Sequence, residues 1–273
     1  MDPIENTDAG SMLYVRNRAL YACVHRSVVW TVNPGGVVCY TDLNRSLKSH
    51  VLVSNGVIGI GALCTEEKQV AVLTDTGLVR IVRAPSSGLA IRTTSVVFME
   101  RADRLTSLKD GPEPYLITSN PELLKVYDVQ HQRERMTIPL DDPVTCLEYP
   151  SSNYVLTSSP DGTFRIYDLR TRDAALETAV PERLKTASVN QYAVYGGSLD
   201  SGTGWFDTRK PQWTSIHPMP SASIYAAETK VVSCDSVHGD IYSFIKDEQG
   251  FIRTRVKSCV HVGYTQEVII VVG

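Results

Sequence analysis

Tyr154-Val155-Leu156-Thr157-Ser158-Ser159-Pro160-Asp161-Gly162-Thr163-Phe164-Arg165-Ile166-Tyr167-Asp168-Leu169-Arg170-Thr171-Arg172 sets two short apolar segments around a turn. Asp-Gly is a preferred dipeptide where antiparallel strands reverse within two residues, because both central positions of that turn need positive φ. The flanks Tyr154–Leu156 and Phe164–Tyr167 are mostly β-branched or aromatic and too short for a helix. The stretch therefore reads as a β-hairpin, and the fold depends on whether it recurs.

Aligning on Tyr167 gives a column of strand residues, Tyr40, Val82, Tyr127, Tyr167, Phe206 and Phe244, spaced 42, 45, 40, 39 and 38 residues apart. Tyr167-Asp168 stands where WD repeats carry Trp-Asp, so the stretch resembles a WD repeat with Tyr in place of Trp, and the spacing matches that family's period of about 40–45. Around the column the first repeat takes strands over 19–24, 28–32, 37–41 and 50–53, and the second over 57–63, 70–73, 78–82 and 90–95. The third takes 105–108, 115–118, 124–127 and 136–138, and the fourth 144–149, 154–157, 163–167 and 174–178. The fifth takes 184–189, 192–195, 203–206 and 213–216, and the sixth 223–226, 231–234, 241–244 and 252–255. After Phe244 only 258–262 and 267–272 remain as strands, with 12–15 spare near the start.

The resemblance implies an all-β fold: a seven-bladed WD-like β-propeller with six full four-stranded blades and a seventh, three-stranded and open to completion, shared by both termini. A flexible tail over 1–11 then precedes a single propeller domain over 12–273. The pattern departs from the family in having no Gly-His dipeptide before any repeat, and in its closing pairs Tyr-Thr, Val-Arg, Tyr-Asp, Tyr-Asp, Phe-Asp and Phe-Ile.

Composition agrees with this class. The chain has 273 residues, 42% hydrophobic and 21% charged, with 13 Tyr, 18 Gly and 14 Pro, a mixture that suits strands broken by tight turns. A net charge of −3 gives no global attraction for nucleic acid or anionic membrane. The polar, acidic N-terminus is unlike a signal peptide, and the apolar run Val268–Val272 is too short to span a bilayer. Six cysteines in or near predicted strands read as reduced, buried thiols of a cytoplasmic or nuclear protein.

Catalytic patterns are sparse. There is no Gly-x-Ser-x-Gly elbow and no P-loop, and Gly59-Ile60-Gly61 lacks the third glycine and the helix of a dinucleotide site. Asp141-Asp142 read as solvated loop acids, and the arginines at 165, 170 and 172 as solvated strand and loop residues. Cys23-Val24-His25 and Cys259-Val260-His261 place thiol and imidazole on one face of two strands. Two readings stand, packed inner strands or a zinc set, although the spacing is not the Cys-x₂₋₄-Cys of usual zinc sites. No cofactor, metal or catalytic residue is assigned, and the expectation is a protein that is not an enzyme.

In a propeller the turns between second and third strands share one face with the links that begin each repeat. That face is expected to dock a partner through Asp75, Asn120, Asp200 and His238 from the turns and Arg101, Arg104, Asp142, Glu182 and Arg183 from the links. Val180-Pro181-Glu182-Arg183 and Phe206-Asp207-Thr208-Arg209 resemble the fourth-to-fifth blade region of the spindle-checkpoint and mRNA-export propellers, which implies capture of a short helical peptide. The strand deficit near the C-terminus resembles the open last blade of secretory-coat and nuclear-pore propellers, which implies completion by a partner's strand. The expected function is a non-catalytic scaffold for protein partners in a multi-subunit complex, with no direct nucleic-acid contact and no membrane insertion. A propeller hydrolase is the alternative from another class.

Overall fold

The computed structural model describes residues 12–15, 19–25, 28–44, 47–53, 56–63, 68–84, 92–98, 102–107, 115–151, 153–180, 183–190, 192–198, 200, 202–218, 220–226, 230–235, 237–245, 252–255, 261–265 and 268–272. All described regular structure is β. The expected tail over 1–11 lies outside the described residues.

Strand β1 spans Met12–Val15. The first four-stranded sheet joins β2 (Tyr21–His25), β3 (Val28–Val32), β4 (Val37–Asp42) and β5 (Leu47–Leu52). The second joins β6 (Val57–Leu63), β7 (Gln69–Thr74), β8 (Leu78–Arg83) and β9 (Arg92–Phe98). The third joins β10 (Arg104–Ser107), β11 (Tyr115–Ser119), β12 (Leu123–Asp128) and β13 (Arg133–Pro139). The fourth joins β14 (Cys146–Ser151), β15 (Tyr154–Ser158), β16 (Thr163–Asp168) and β17 (Asp173–Ala179). The fifth joins β18 (Thr186–Asn190), β19 (Ala193–Ser198), β20 (Gly202–Asp207) and β21 (Lys210–His217). The sixth joins β22 (Ser223–Ala226), β23 (Lys230–Asp235), β24 (Asp240–Ile245) and β25 (Ile252–Arg255). A three-stranded sheet, ordered β1-β27-β26, takes its other strands from β26 (His261–Thr265) and β27 (Val268–Val272).

Each four-stranded sheet pairs its strands in chain order, the meander of a β-propeller blade. The chain divides into two compact units. One holds Leu20–Pro160 with Phe164–Glu177, and the other Met1–Ala19, Asp161–Thr163 and Thr178–Gly273.

Second strands form the core because both of their faces are covered. All six residues of β7 and all five of β11 are buried. Each fully buried Val, Leu or Ile contributes about 1.5–3 kcal/mol of apolar transfer. Outer strands β13, β17 and β21 are mostly exposed, and their polar and charged residues discourage edge-to-edge pairing. Between the second and third sheets, Gly61 of β6 lets β10 approach. A β-carbon at Gly61 would lie 3.0 Å from Ser107 Oγ, whose hydroxyl donates to the Ala62 carbonyl. That close packing explains Gly61, whereas a β-carbon at Gly59 would meet only ordinary contact, 3.5 Å from Leu105 Cβ.

The hairpin at Asp161-Gly162 forms, but by a different turn. Its ladder closes at Ser158 opposite Phe164, leaving a five-residue connection in which Gly162 has φ 86° and Asp161 is absent from the positive-φ residues. Asp161 instead caps the turn, its carboxylate accepting from the Thr163 amide at 2.8 Å and the Thr163 hydroxyl at 2.7 Å. A glycine with positive φ recurs at the same place as Gly36, Gly77, Gly202 and Gly239. The third sheet has Glu122 at that place, and its turn is held instead by Asn120, whose side-chain oxygen takes the amides of Glu122 (2.9 Å) and Leu123 (2.7 Å).

At the opposite end of the sheets, the acid closing the third strand is a hairpin cap. Asp168 accepts from the Arg170 amide at 2.9 Å, Asp207 from Arg209 at 2.8 Å, Asp128 from His131 at 3.0 Å and Asp42 from Asn44 at 3.1 Å. This corrects the sequence column in the first repeat. Register pairs Val28 with Asp42 as Tyr154 pairs with Asp168, so Thr41 matches Tyr167 and Tyr40 sits one residue early, on the other face of its strand. Tyr40 is 1% exposed, drawn inward to meet Trp30 edge-on at 4.9 Å.

The spare strand pairs as anticipated with the C-terminal segment, but β1 runs parallel to β27, Met12 opposite Ile269 through Val15 opposite Val272. The C-terminal strand β26 is described over His261–Thr265, and positions 258–260 of the expected strand lie outside the described residues. Cys259 and the side chains of His25 and His261 lie outside the described residues, so the proposed zinc set is untouched. Cys23, Cys146 and Cys234 are buried, and Cys39 is half-buried.

Candidate interaction site at the second-to-third-strand turns

The two ends of the sheets use their acids differently. At the third-to-fourth-strand hairpins the carboxylates are buried or clamped. Asp168 and Asp207 each form a fork with the guanidinium two residues on, and that hydrogen-bonded arginine holds each carboxyl at about 2. Arg170 and Arg209 then lie over Tyr154 and Tyr192 at 5.6 and 4.5 Å. At Asp128, burial raises the carboxyl, but the His131 amide and imidazole outweigh it and leave it lowered.

At the second-to-third-strand turns Asp75 and Asp200 are exposed, while Asp161 caps its own turn and the Asp235 side chain is wholly buried. In the unit built from the first four sheets, Asp75 is exposed while its amide donates to the Gly56 carbonyl at 2.6 Å. A β-carbon at Gly56 would overlap the Asp75 carboxylate, so the turn is held against bare backbone. Asn120 is absorbed in its own turn. Arg104 opens β10 exposed, its Nε 3.4 Å from the Val144 carbonyl across the seam between third and fourth sheets. Asp142 lies on that seam too, 3.5 Å from Arg165.

Arg165 is not the solvated residue expected. Its side chain is 11% exposed and is ringed by Glu177 at 2.9 Å, Asp142 at 3.5 Å and Asp141 at 3.8 Å. Those acids are accordingly partners of one guanidinium. Burial, then the charges of Asp141, Glu177 and Asp142, raise the neighbouring Tyr167 hydroxyl against the lowering effect of Arg165.

In the other unit, Asp200 is exposed and its amide donates to Ser198 Oγ at 3.1 Å. His238 is half exposed, with Nδ1 2.6 Å from the wholly buried Asp235 carboxylate, which also accepts the Val237 amide at 2.8 Å. Between them in sequence Val237 is 71% exposed, an apolar side chain at a turn tip. Arg183 is exposed. Arg101 and Glu182 lie outside the described residues.

Sequence reasoning missed two buried carboxylates, each held by a partly exposed cation. Lys68, just before β7, holds Asp42, whose side chain is 2% exposed. The signal was present as Tyr40-Thr41-Asp42, hidden by the one-residue offset. Arg253 of β25 holds Asp240, whose side chain is wholly buried at the start of β24. Nothing local in Gly239-Asp240-Ile241 marks that acid as buried. Among the described residues, no group of three or more His, Cys, Asp or Glu is placed to hold a metal ion.

In one unit the exposed turn acid is Asp75, its amide held by the Gly56 carbonyl; in the other are Asp200, its amide held by Ser198 Oγ, and the exposed Val237 and His238. Each such turn can meet an amide, cation or apolar group of a peptide with little ordering of its own. No protein-family model matches the chain, and no curated protein does.

Proposed function

We propose that this protein is a non-catalytic scaffold of the WD-like type, a seven-bladed propeller whose last blade is the three-stranded sheet, and that it docks a peptide or helix on the face bearing the second-to-third-strand turns. The observation that carries this is the exposure of Asp75 and Asp200 on turns where their amides are already engaged, by the Gly56 carbonyl and by Ser198 Oγ. The partner is a protein segment bearing basic residues, in a cytoplasmic or nuclear assembly. Tagged protein should bring down a stoichiometric partner. Asp75→Lys together with Asp200→Lys should release it, whereas Arg172→Gly at the other end should not. Retention by the double variant would sink this reading.

One observation favours a second reading. Among the described strands β1 pairs only with β27, so its other edge is open to an added strand. In that case deletion of Val268–Gly273 releases the partner and the charge reversals do not.

A further inference from the structure

Asp240, Tyr242 and Phe244 alternate along one face of β24, and all three are buried. Onto this face, from the neighbouring fifth sheet, comes His217, the last residue of β21. It is 4% exposed, with its ring 4.0 Å from that of Tyr242 and 6.0 Å, edge-on, from that of Phe244. Its register partner on β20 is Thr203, whose hydroxyl meets Ser233 of β23 at 3.2 Å, and Ser233 meets Ser221 at 2.7 Å. The imidazole therefore sits in a buried seam zipped by hydroxyls on one side and aromatic rings on the other.

The charged groups around the seam are engaged. Asp240 is held by Arg253, and Asp235 by the His238 imidazole and the turn amides of Val237 and His238. Tyr242 presents a neutral ring. A proton arriving on His217 would thus place a second cation near Arg253, in a setting whose nearby carboxylates are already committed. Burial, and then the charge of Arg253, lower the imidazole's affinity for a proton.

We propose that His217 makes the seam between the fifth and sixth sheets acid-sensitive, so that its protonation releases the end of β21 from β24. The direction follows from linkage. A histidine whose folded pKa is depressed contributes stability that is present above its unfolded value, about 6.5, and lost as pH falls through the folded value. Between those two values the unfolded chain carries one proton more, so the folded-to-unfolded ratio falls by up to about tenfold per pH unit.

Hydrogen exchange on the intact protein at pH 7.5, 6.5 and 5.5, corrected for intrinsic rates, should show β21 and β24 losing protection while β3, β7 and β11 keep theirs. His217→Gln should abolish that dependence, and His131→Gln should leave it intact. Loss of the dependence in His131→Gln, or its persistence in His217→Gln, would overturn the proposal. Should His217→Gln fail to fold, carbon-detected NMR titration of the wild-type imidazole decides. A midpoint below about 6.5, coincident with the loss of protection, supports the switch, and titration at or above about 6.5 overturns it.

Discussion

Replacing Lys68 by Met strips the partner from a carboxylate that has nowhere to go. Asp42 is 1% exposed, and Lys68 is its only ion-pair partner among the described residues. Asn44 and the Tyr40 hydroxyl still donate to it, at 3.1 and 3.3 Å. Removing one member of a buried pair costs about 3–5 kcal/mol. The Lys68 side chain is 41% exposed, so water can enter where it leaves. We therefore expect the low side, about 2–3 kcal/mol, or roughly 1 M in urea midpoint. Trp30, edge-on to Tyr40, reports the transition by fluorescence. Asp42→Asn retains an acceptor for the Asn44 amide, so Lys68→Met with Asp42→Asn should recover most of the loss.

The pH dependence changes sign between the two proteins. In the wild type, burial would raise the Asp42 carboxyl, but Lys68, Asn44 and Tyr40 together hold it below its ordinary value. Its contribution is therefore present above the unfolded pKa of about 3.9 and lost as pH falls through the folded one. Without Lys68, burial leads and the carboxyl rises, so the variant's deficit should shrink as pH falls from 7 toward 5. A Lys68→Met protein within 0.5 kcal/mol of wild type, or a deficit that Asp42→Asn does not relieve, refutes the reasoning.

Gly162→Ala should cost about 1–3 kcal/mol in urea denaturation, because φ is 86° and the new β-carbon would lie 2.7 Å from the Val180 carbonyl oxygen. Arg172 holds φ 68° without being glycine, so Arg172→Gly should be neutral or stabilise by up to about 1 kcal/mol in the same assay. Asp168 and Asp207, both held at about 2, contribute stability that is present above about 3.9 and lost as pH falls through 2. Acid titration of Arg170→Gln should accordingly show the onset of unfolding moved to higher pH.

Much of the architecture was legible because a blade repeats its chemistry. The column at Tyr127, Tyr167 and Phe206 located three third strands correctly, since each is followed by the acid that caps the next hairpin. It slipped at Tyr40 because an aromatic one residue early offers the same composition on the opposite face, and only pairing reveals the difference. The parallel run of β1 on β27 was not legible, since an isolated Met-Leu-Tyr-Val carries no record of its direction. Of the candidate site, the turn positions were readable from Gly and Asx residues. Arg165, Asp42 and Asp240 were not, because burial of a charge depends on partners from other strands: Glu177, Lys68 and Arg253.

The central claim is that the second-to-third-strand turns carry recognition, and crosslinking of the protein in its native complex tests it most directly. Carboxylate-reactive crosslinks to a stoichiometric partner at Asp75 and Asp200 are the predicted result. Crosslinks confined to the opposite hairpins around Asp173, or a monodisperse monomer without a partner that turns over substrate, would contradict it.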